Sequence, residues 1–333
     1  MEGLLLTAGE RLALRCPQGW IARRVAEGGD GCFIPGPPDA ATVRVRVEAE
    51  HGPFPVTGWE RLARDGWCRD GHVVLRDVAT SGFDLHAWHD GAVPELVLRW
   101  RPPPRTRAAA MALRARGRLL TQAVLLQYPV FWAASIRGRA PLHAAALTAG
   151  EAGPVLLVGP SGTGKTTLVT AEVAAHGQAS ADNLVVGDGH RAWGVVEPTR
   201  GDTGHGRREP HGRRTGHLAG RVPALDPVAL VVLARGTGYL IEACPPQAAA
   251  RALVASTYAA GELRRYWGVH ALLALGTGAG PAHPPVAETA AAFAGRLRCL
   301  RLELPRARGE RLAGHLSAGQ AAEQAAEGAR AWT

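Results

Sequence analysis

Lysine is almost missing from this chain. Of 38 Lys and Arg residues, only Lys165 is a lysine. A bias toward Ala, Gly and Arg is the imprint of a GC-rich genome, so a single arginine carries little weight. The surviving lysine is different. A compact ammonium on a flexible stem fits between phosphate oxygens where a planar guanidinium fits poorly. Cysteine is also scarce. Cys16, Cys32, Cys68, Cys244 and Cys299 are scattered without C-x-x-C spacing, and their odd number argues against a closed disulfide framework, so buried free thiols in a reducing cytosol are expected. The first residues, Met-Glu-Gly-Leu-Leu-Leu-Thr, lack the basic region of a secretory signal, and a cytoplasmic location is expected.

Long apolar runs are few. Leu119 to Ile136 is free of charge between Arg118 and Arg137, but contains Thr121, Gln122, Gln127 and Pro129. A bilayer span needs about 20 predominantly apolar residues, so a buried, proline-kinked helix is expected and no membrane span. The net charge of +9 suits an acidic ligand or peptide, or a nucleic acid. However, the arginines are little interleaved with aromatics and no nucleic-acid module is visible. Phosphate ligands and the arginine bias account for the charge, and no nucleic-acid partner is expected. With 46% apolar and 20% charged residues the chain is folded rather than disordered.

Its length suits two domains. Residues 1–105 alternate in short β-type runs, Thr42 to Val47, His72 to Leu75 and Leu96 to Trp100, parted by Gly and Pro clusters. They predict a small β-rich domain. Pro102-Pro103-Pro104 breaks the pattern, and residues 106–138 read as a helical connector with Arg-rich and Leu-rich faces. Residues 139–333 form the second domain, with a strand over Pro141 to Leu147, another over Pro154 to Val158, and a helix ending by Gly177. Strands at Ala229 to Leu233 and Cys299 to Leu304, helices at Gln247 to Ala260 and Glu288 to Ala294, and a helical tail complete it. Together these predict an α/β fold, α+β in its overall layout.

Between the second strand and its helix stand Gly159, Pro160, Ser161, Gly162, Thr163, Gly164, Lys165, Thr166 and Thr167, a complete P-loop in the strand-loop-helix context that the motif requires. The glycines let backbone N–H groups wrap phosphate oxygens at a helix N-terminus. Lys165 reaches the β- and γ-phosphates, and Thr166 holds Mg²⁺. The nearest carboxylate after the helix that can serve a metal is Asp182, leaving room for one short helix and an immediate return strand. Leu184 to Val186, a turn at Asp188-Gly189, and Arg191 to Val196 read as a hairpin that returns Glu197 toward Asp182. One carboxylate can orient Mg²⁺ and the other accept a hydroxyl proton. Residues 199–216 form a Gly, Arg and His loop too polar to pack, with Arg207, Arg208, Arg213 and Arg214 as candidates for an electrostatic lid or a solvated surface. His143, alone on an apolar strand, is either a core histidine or a site residue.

His143 before the P-loop, the loop itself, Ala181-Asp182 after a short helix, and Glu197-Pro198-Thr199-Arg200-Gly201 occur in order. This set resembles the catalytic domain of the HPr kinase/phosphorylase family, whose P-loop core is related to ATP-dependent phosphoenolpyruvate carboxykinase. The likeness spans Pro141 to Leu304 and implies an HPr-kinase-like domain with a mixed sheet. It further implies ATP and Mg²⁺ as cofactors; Lys165, Thr166 and Arg200 at the nucleotide; Thr166, Asp182 and Glu197 at the metal; Asp182, His143 and Lys165 in catalysis; a Ser or Thr hydroxyl on a protein or peptide as acceptor; and a homo-oligomer. The family has two adjacent aspartates where this chain has Asp182-Asn183, and its Glu-x-Arg-Gly element carries one inserted residue here. A nucleotide-binding switch or ATPase, and more remotely a carboxykinase-type enzyme, are the competing readings.

Overall fold

The computed structural model describes residues 1–50, 52–201, 214–305 and 311–317. Nine strands lie before Trp100: β1 (Glu2–Thr7), β2 (Glu10–Arg15), β3 (Phe33–Ile34), β4 (Val43–Glu48), β5 (Glu60–Ala63), β6 (Gly66–Arg69), β7 (His72–Leu75), β8 (Phe83–His89) and β9 (Pro94–Trp100). They form one sheet in the order β3-β1-β2-β4-β9-β8-β7-β6-β5. The alternation Val-Arg-Val-Arg-Val in β4 follows the period of two of an extended chain. Val43, Val45 and Val47 are accordingly buried while the arginines face outward. Helix α1 (Trp20–Gly28) interrupts the early strands.

The proline run is followed by α2 (Pro104–Ala112), none of whose residues is buried, and a break at Leu113. From Arg114 the helix is continuous through α3 (Arg114–Gln122), a π-helical turn (Ala123–Gln127) and α4 (Tyr128–Ile136). It is the one described helix long and apolar enough to cross a membrane, and 72% of its apolar window is buried inside the protein. Pro129 sits in the first turn of α4, directly after the π-turn. With no N–H to donate, proline disrupts the regular ladder at this point. Residues 123–126 and 128–134, Pro129 apart, share one apolar cluster with the inner face of the nine-stranded sheet.

The rest of the chain builds two further sheets. Strands β11 (Ala144–Thr148), β12 (Pro154–Val158), β13 (Ala179–Ala181), β19 (Ala229–Arg235), β20 (Leu240–Ala243) and β21 (Arg298–Leu304) form a six-stranded mixed sheet, in the order β13-β11-β12-β19-β21-β20. Strands β10 (Ala140–Leu142), β14 (Val185–Gly187), β15 (Ala192–Gly194) and β18 (Ala224–Leu225) form a smaller antiparallel one. The expected hairpin is present, with Val185 opposite Gly194 and Gly187 opposite Ala192. β16 (Thr199–Gly201) and β17 (Arg214–Gly216) pair at the neck of the polar loop. Residues 202–213, and with them Arg207, Arg208 and Arg213, lie outside the described residues.

Successive residues of the six-stranded sheet point to opposite faces. Ala144, Ala146, Leu156, Val158 and Leu230 pack under α6 (Pro246–Ala259) and α8 (Val286–Arg296). Ala145, Leu147, Val155, Leu157 and Val231 pack under α5 (Lys165–Ala174). The fold is therefore α/β, with mixed sheets and helices on both faces of the six-stranded sheet. Helix α7 (Tyr266–Thr277) instead packs with α4 on the nine-stranded sheet.

Two expectations need correction. Pro141 to Leu147 is not one strand, because β10 and β11 belong to different sheets with His143 between them. The five cysteines are free, but only Cys16 and Cys299 are buried and the other three are half-buried.

Candidate active site

The polar residues gather where the chain changes sheets. β10 pairs with β14 in the small sheet, and β11 pairs with β13 in the large one. Both pairs must therefore cross between sheets side by side, the first at His143 and the second at Asp182-Asn183. At such a crossing the residues leave the ladder, and their side chains project into the gap where β12 delivers the P-loop.

The P-loop has the conformation its glycines permit. Gly162 and Gly164 take φ of 84° and 110°, in the left-handed region that L side chains rarely enter. Thr163 Oγ1 donates to the Pro160 carbonyl at 2.8 Å and stiffens the bend. Pro160, Ser161 and Gly162 are exposed, Gly164, Thr166 and Thr167 are half-buried, and Lys165 opens α5. Lys165 Nζ turns back to donate to the Gly159 and Pro160 carbonyls at 2.6 and 3.4 Å. Burial brings its pKa down to about 8, so its charge is costly here unless an anion arrives. Arg235 donates to the Gly162 carbonyl across the mouth of the loop.

Two sets of hydrogen bonds run through the predicted residues, one ending at Asp182 and the other centred on its chain neighbour Asn183. Thr166 Oγ1 donates to Asp182 Oδ2 at 3.0 Å. Next along the chain, Asn183 Nδ2 donates to Glu197 Oε1 at 3.0 Å, and Asn183 Oδ1 faces His143 Nε2 at 3.1 Å. With the amide oriented this way, Nε2 carries the imidazole proton and Nδ1 is left to accept from Ser256 Oγ at 2.8 Å. Ser256 Oγ also lies 2.9 Å from the Gly159 carbonyl, where α6 meets the P-loop, and its single proton serves either that oxygen or His143 Nδ1. Asp182, His143 and Glu197 are all buried. Burial pushes the pKa of Asp182 up, and that of Glu197 to about 7, while His143 falls to about 4 and is held neutral. A carboxylate that titrates near neutrality is suited to accept a proton.

Several participants were not visible as motif residues. Glu262, in the connection between α6 and α7, receives Arg200 Nη1 at 3.4 Å, and its charge acts on both Lys165 and His143. Arg200 also reaches Glu197 at 3.7 Å, so it sits among the carboxylates. Gln127, from the π-turn, donates to Glu197 Oε2 at 3.4 Å. Arg221 donates to the Glu197 carbonyl at 3.0 Å and to Asp30 Oδ2 at 2.9 Å. Asp30 also accepts from His217 at 2.5 Å, which links the N-terminal sheet region to the return arm of the polar loop. A buried serine, a loop glutamate and a helix glutamine carry no spacing signal, and only the fold brings them together.

The oxygens of Thr166, Asp182 and Glu197 are hard donors suited to Mg²⁺. Among the described residues there is no cluster of three His, Cys, Asp or Glu with metal-binding geometry. Both buried carboxylates have raised pKa values, so a divalent cation beside them would offset a real desolvation cost.

No family model matches the chain, and no curated protein matches it. Among solved structures, the Hpr(Ser) kinase/phosphatase from Coxiella burnetii is similar over 31% of this chain and 77% of its own, at 15% identity and a TM-score of 0.23.

Proposed function

We propose that the protein is an ATP- and Mg²⁺-dependent phosphotransferase acting on a Ser or Thr hydroxyl of a protein or peptide. The observation that supports it most is the pair of buried acids beside the P-loop: Asp182 accepts from Thr166, and its chain neighbour Asn183 holds Glu197 on one side and His143 on the other. A P-loop alone argues for nucleotide binding. A buried carboxylate bonded to the first turn of its helix, with a second held nearby through Asn183, argues for chemistry on the terminal phosphate.

In this reading the acceptor oxygen bonds to the γ-phosphorus, the bond to the β–γ bridging oxygen breaks, and ADP leaves. The hydroxyl proton passes to a buried carboxylate, Asp182 or Glu197. Lys165 is drawn from its carbonyl partners onto the phosphate oxygens, and the backbone N–H groups of residues 161–166 cradle them. Thr166, together with whichever of Asp182 and Glu197 is not the proton acceptor, would hold Mg²⁺, which would supply positive charge to the transferring group. Arg200 and neutral His143 fix the positions of Glu197 and Asn183.

Asn183 does not argue for loss of activity. It bridges an N–H and a carboxylate, a task that an acid at this position would do poorly beside Glu197. The test is transfer of label from γ-labelled ATP with Mg²⁺ onto serine-containing peptides. Label on serine that disappears in Lys165→Ala and Asp182→Ala supports the reading. Tight ATP binding with neither transfer nor hydrolysis would sink it and leave a nucleotide-binding switch.

A further inference from the structure

A cavity of about 190 Å³ opens beside Glu197. Its wall is the π-turn and the helix before it, with Leu119, Ala123 and Leu126 facing Val196. Its floor is polar, formed by Glu197 and Gln127. Arg116 and Arg265 line its mouth, both exposed. Arg200 and Glu262 also line the cavity and pair with each other.

Three observations connect this space to the reaction centre. Glu197 belongs to both, since it floors the cavity and is hydrogen-bonded through Asn183 to His143. Glu262 lines the cavity, and its charge reaches Lys165. The π-turn, a geometry frequent at functional sites, supplies Ala123, Leu126 and Gln127 to the lining. The volume lies below the ~300–1,000 Å³ typical of pockets that take a whole small-molecule ligand. It suits one side chain. The Arg200–Glu262 pair is neutral in sum, while Arg116 and Arg265 have no carboxylate partner among the described residues. The mouth therefore presents net positive charge to whatever flanks that side chain.

We propose that this cavity is the acceptor subsite: an extended acidic peptide lies across Arg116 and Arg265 and inserts one hydroxyl-bearing side chain toward Glu197. This rests on the phosphotransfer reading above and adds the substrate class and the face from which it approaches. The cavity wall excludes water from the hydroxyl while the arginines hold the flanking carboxylates in register.

Two probe peptides, a serine flanked by aspartates and the same serine flanked by lysines, separate the possibilities. Binding is measured by calorimetry with a non-hydrolysable ATP analogue present, and transfer with labelled ATP. The aspartate peptide is expected to bind the wild type and the lysine peptide not to bind. The double variant Arg116→Glu/Arg265→Glu, at exposed positions, should weaken the aspartate peptide at least about tenfold. Ala123→Phe, which fills the cavity, should abolish binding, with an unchanged thermal midpoint confirming that it folds. Aspartate-peptide binding that is indifferent to all three substitutions overturns the proposal, as does failure of that peptide to bind or a free serine that displaces it. Binding without label transfer in the wild type would keep the subsite and sink the phosphotransfer reading, so the two failures are distinguishable.

Discussion

Asn183 is an amide held between an imidazole and a carboxylate, and both contacts depend on its having a donor as well as an acceptor. Asn183→Asp would place a half-buried acid directly against Glu197, whose pKa burial already raises to about 7. Like charges at this separation force one acid to keep its proton. The variant is expected to lose ~1–3 kcal/mol at pH 8 and much less at pH 5, where a proton fills the gap; equal losses in denaturant melts at both pH values would refute this. Glu197 has a related signature. Its folded pKa of about 7 lies above its ordinary 4.5, so its contribution is fully present below 4.5 and is lost as pH rises through 7. The size is roughly 3 kcal/mol as an upper figure. His143, His86 and His270 act in the opposite direction over part of that window, their pKa values being lowered to about 4. The measurement is therefore the difference between wild type and Glu197→Gln without nucleotide: the stability of the wild type relative to the variant should fall between pH 4.5 and 7 and then level off. At this scale the sequence was informative wherever chemistry imposes spacing. Lys165, Thr166, Asp182 and Glu197 were all legible, whereas Ser256, Glu262 and Gln127 come from segments that only the fold brings near.

The hairpin β14–β15 works because of one missing side chain. A Cβ on Gly194 would sit 1.9 Å from the Ser180 carbonyl oxygen, a backbone atom that cannot rotate away. Gly194 lies opposite Val185 and just ahead of Val195 to Glu197, so pushing β15 away from β13 also displaces Glu197. Gly194→Ala should cost ~1–3 kcal/mol from overpacking alone and weaken any Mg²⁺-dependent step more than nucleotide binding itself. Unchanged denaturant midpoints would show that β15 can shift freely. The hairpin, α5 and the strands flanking the P-loop were readable because their periodicity and turn residues are local. The break at His143 was not, since Pro141 to Leu147 is uniformly apolar and its division appears only when β10 and β11 find different partners. Helix α7 was missed for a similar reason: Tyr266 to Thr277 is apolar around much of its circumference because α4 and the nine-stranded sheet lie against it.

Across the whole molecule the first hundred residues and the P-loop half share a core. Leu184, Val186, Val195, Val196, Leu263 and Tyr266 belong to the same apolar cluster as Leu5, Leu12, Val45 and Leu98. Polar ties cross the same boundary: Ala8 N–H donates to the Gly194 carbonyl, Val196 N–H to Thr7 Oγ1, and Arg221 to Asp30. The composition of residues 1–105 announces a β-rich unit, but nothing in it reveals that its inner face closes over the hairpin leading to Glu197. That arrangement allows the return arm of the polar loop, anchored at Asp30, to hold the position of Glu197. It also fixes what truncation does. A fragment of residues 139–333 would uncover these six side chains together with Val269 and Leu273 of the same cluster, large apolar groups worth ~1.5–3 kcal/mol each when fully buried. Even half of that sum is comparable to the ~5–15 kcal/mol that stabilises a typical protein. The fragment is expected to bind a hydrophobic dye and to unfold without a cooperative transition, while the full chain unfolds in a single step by circular dichroism and fluorescence. A sharp, reversible transition in the fragment, with nucleotide binding retained, would mean that the two halves fold independently and that Asp30 does not hold Glu197 in place.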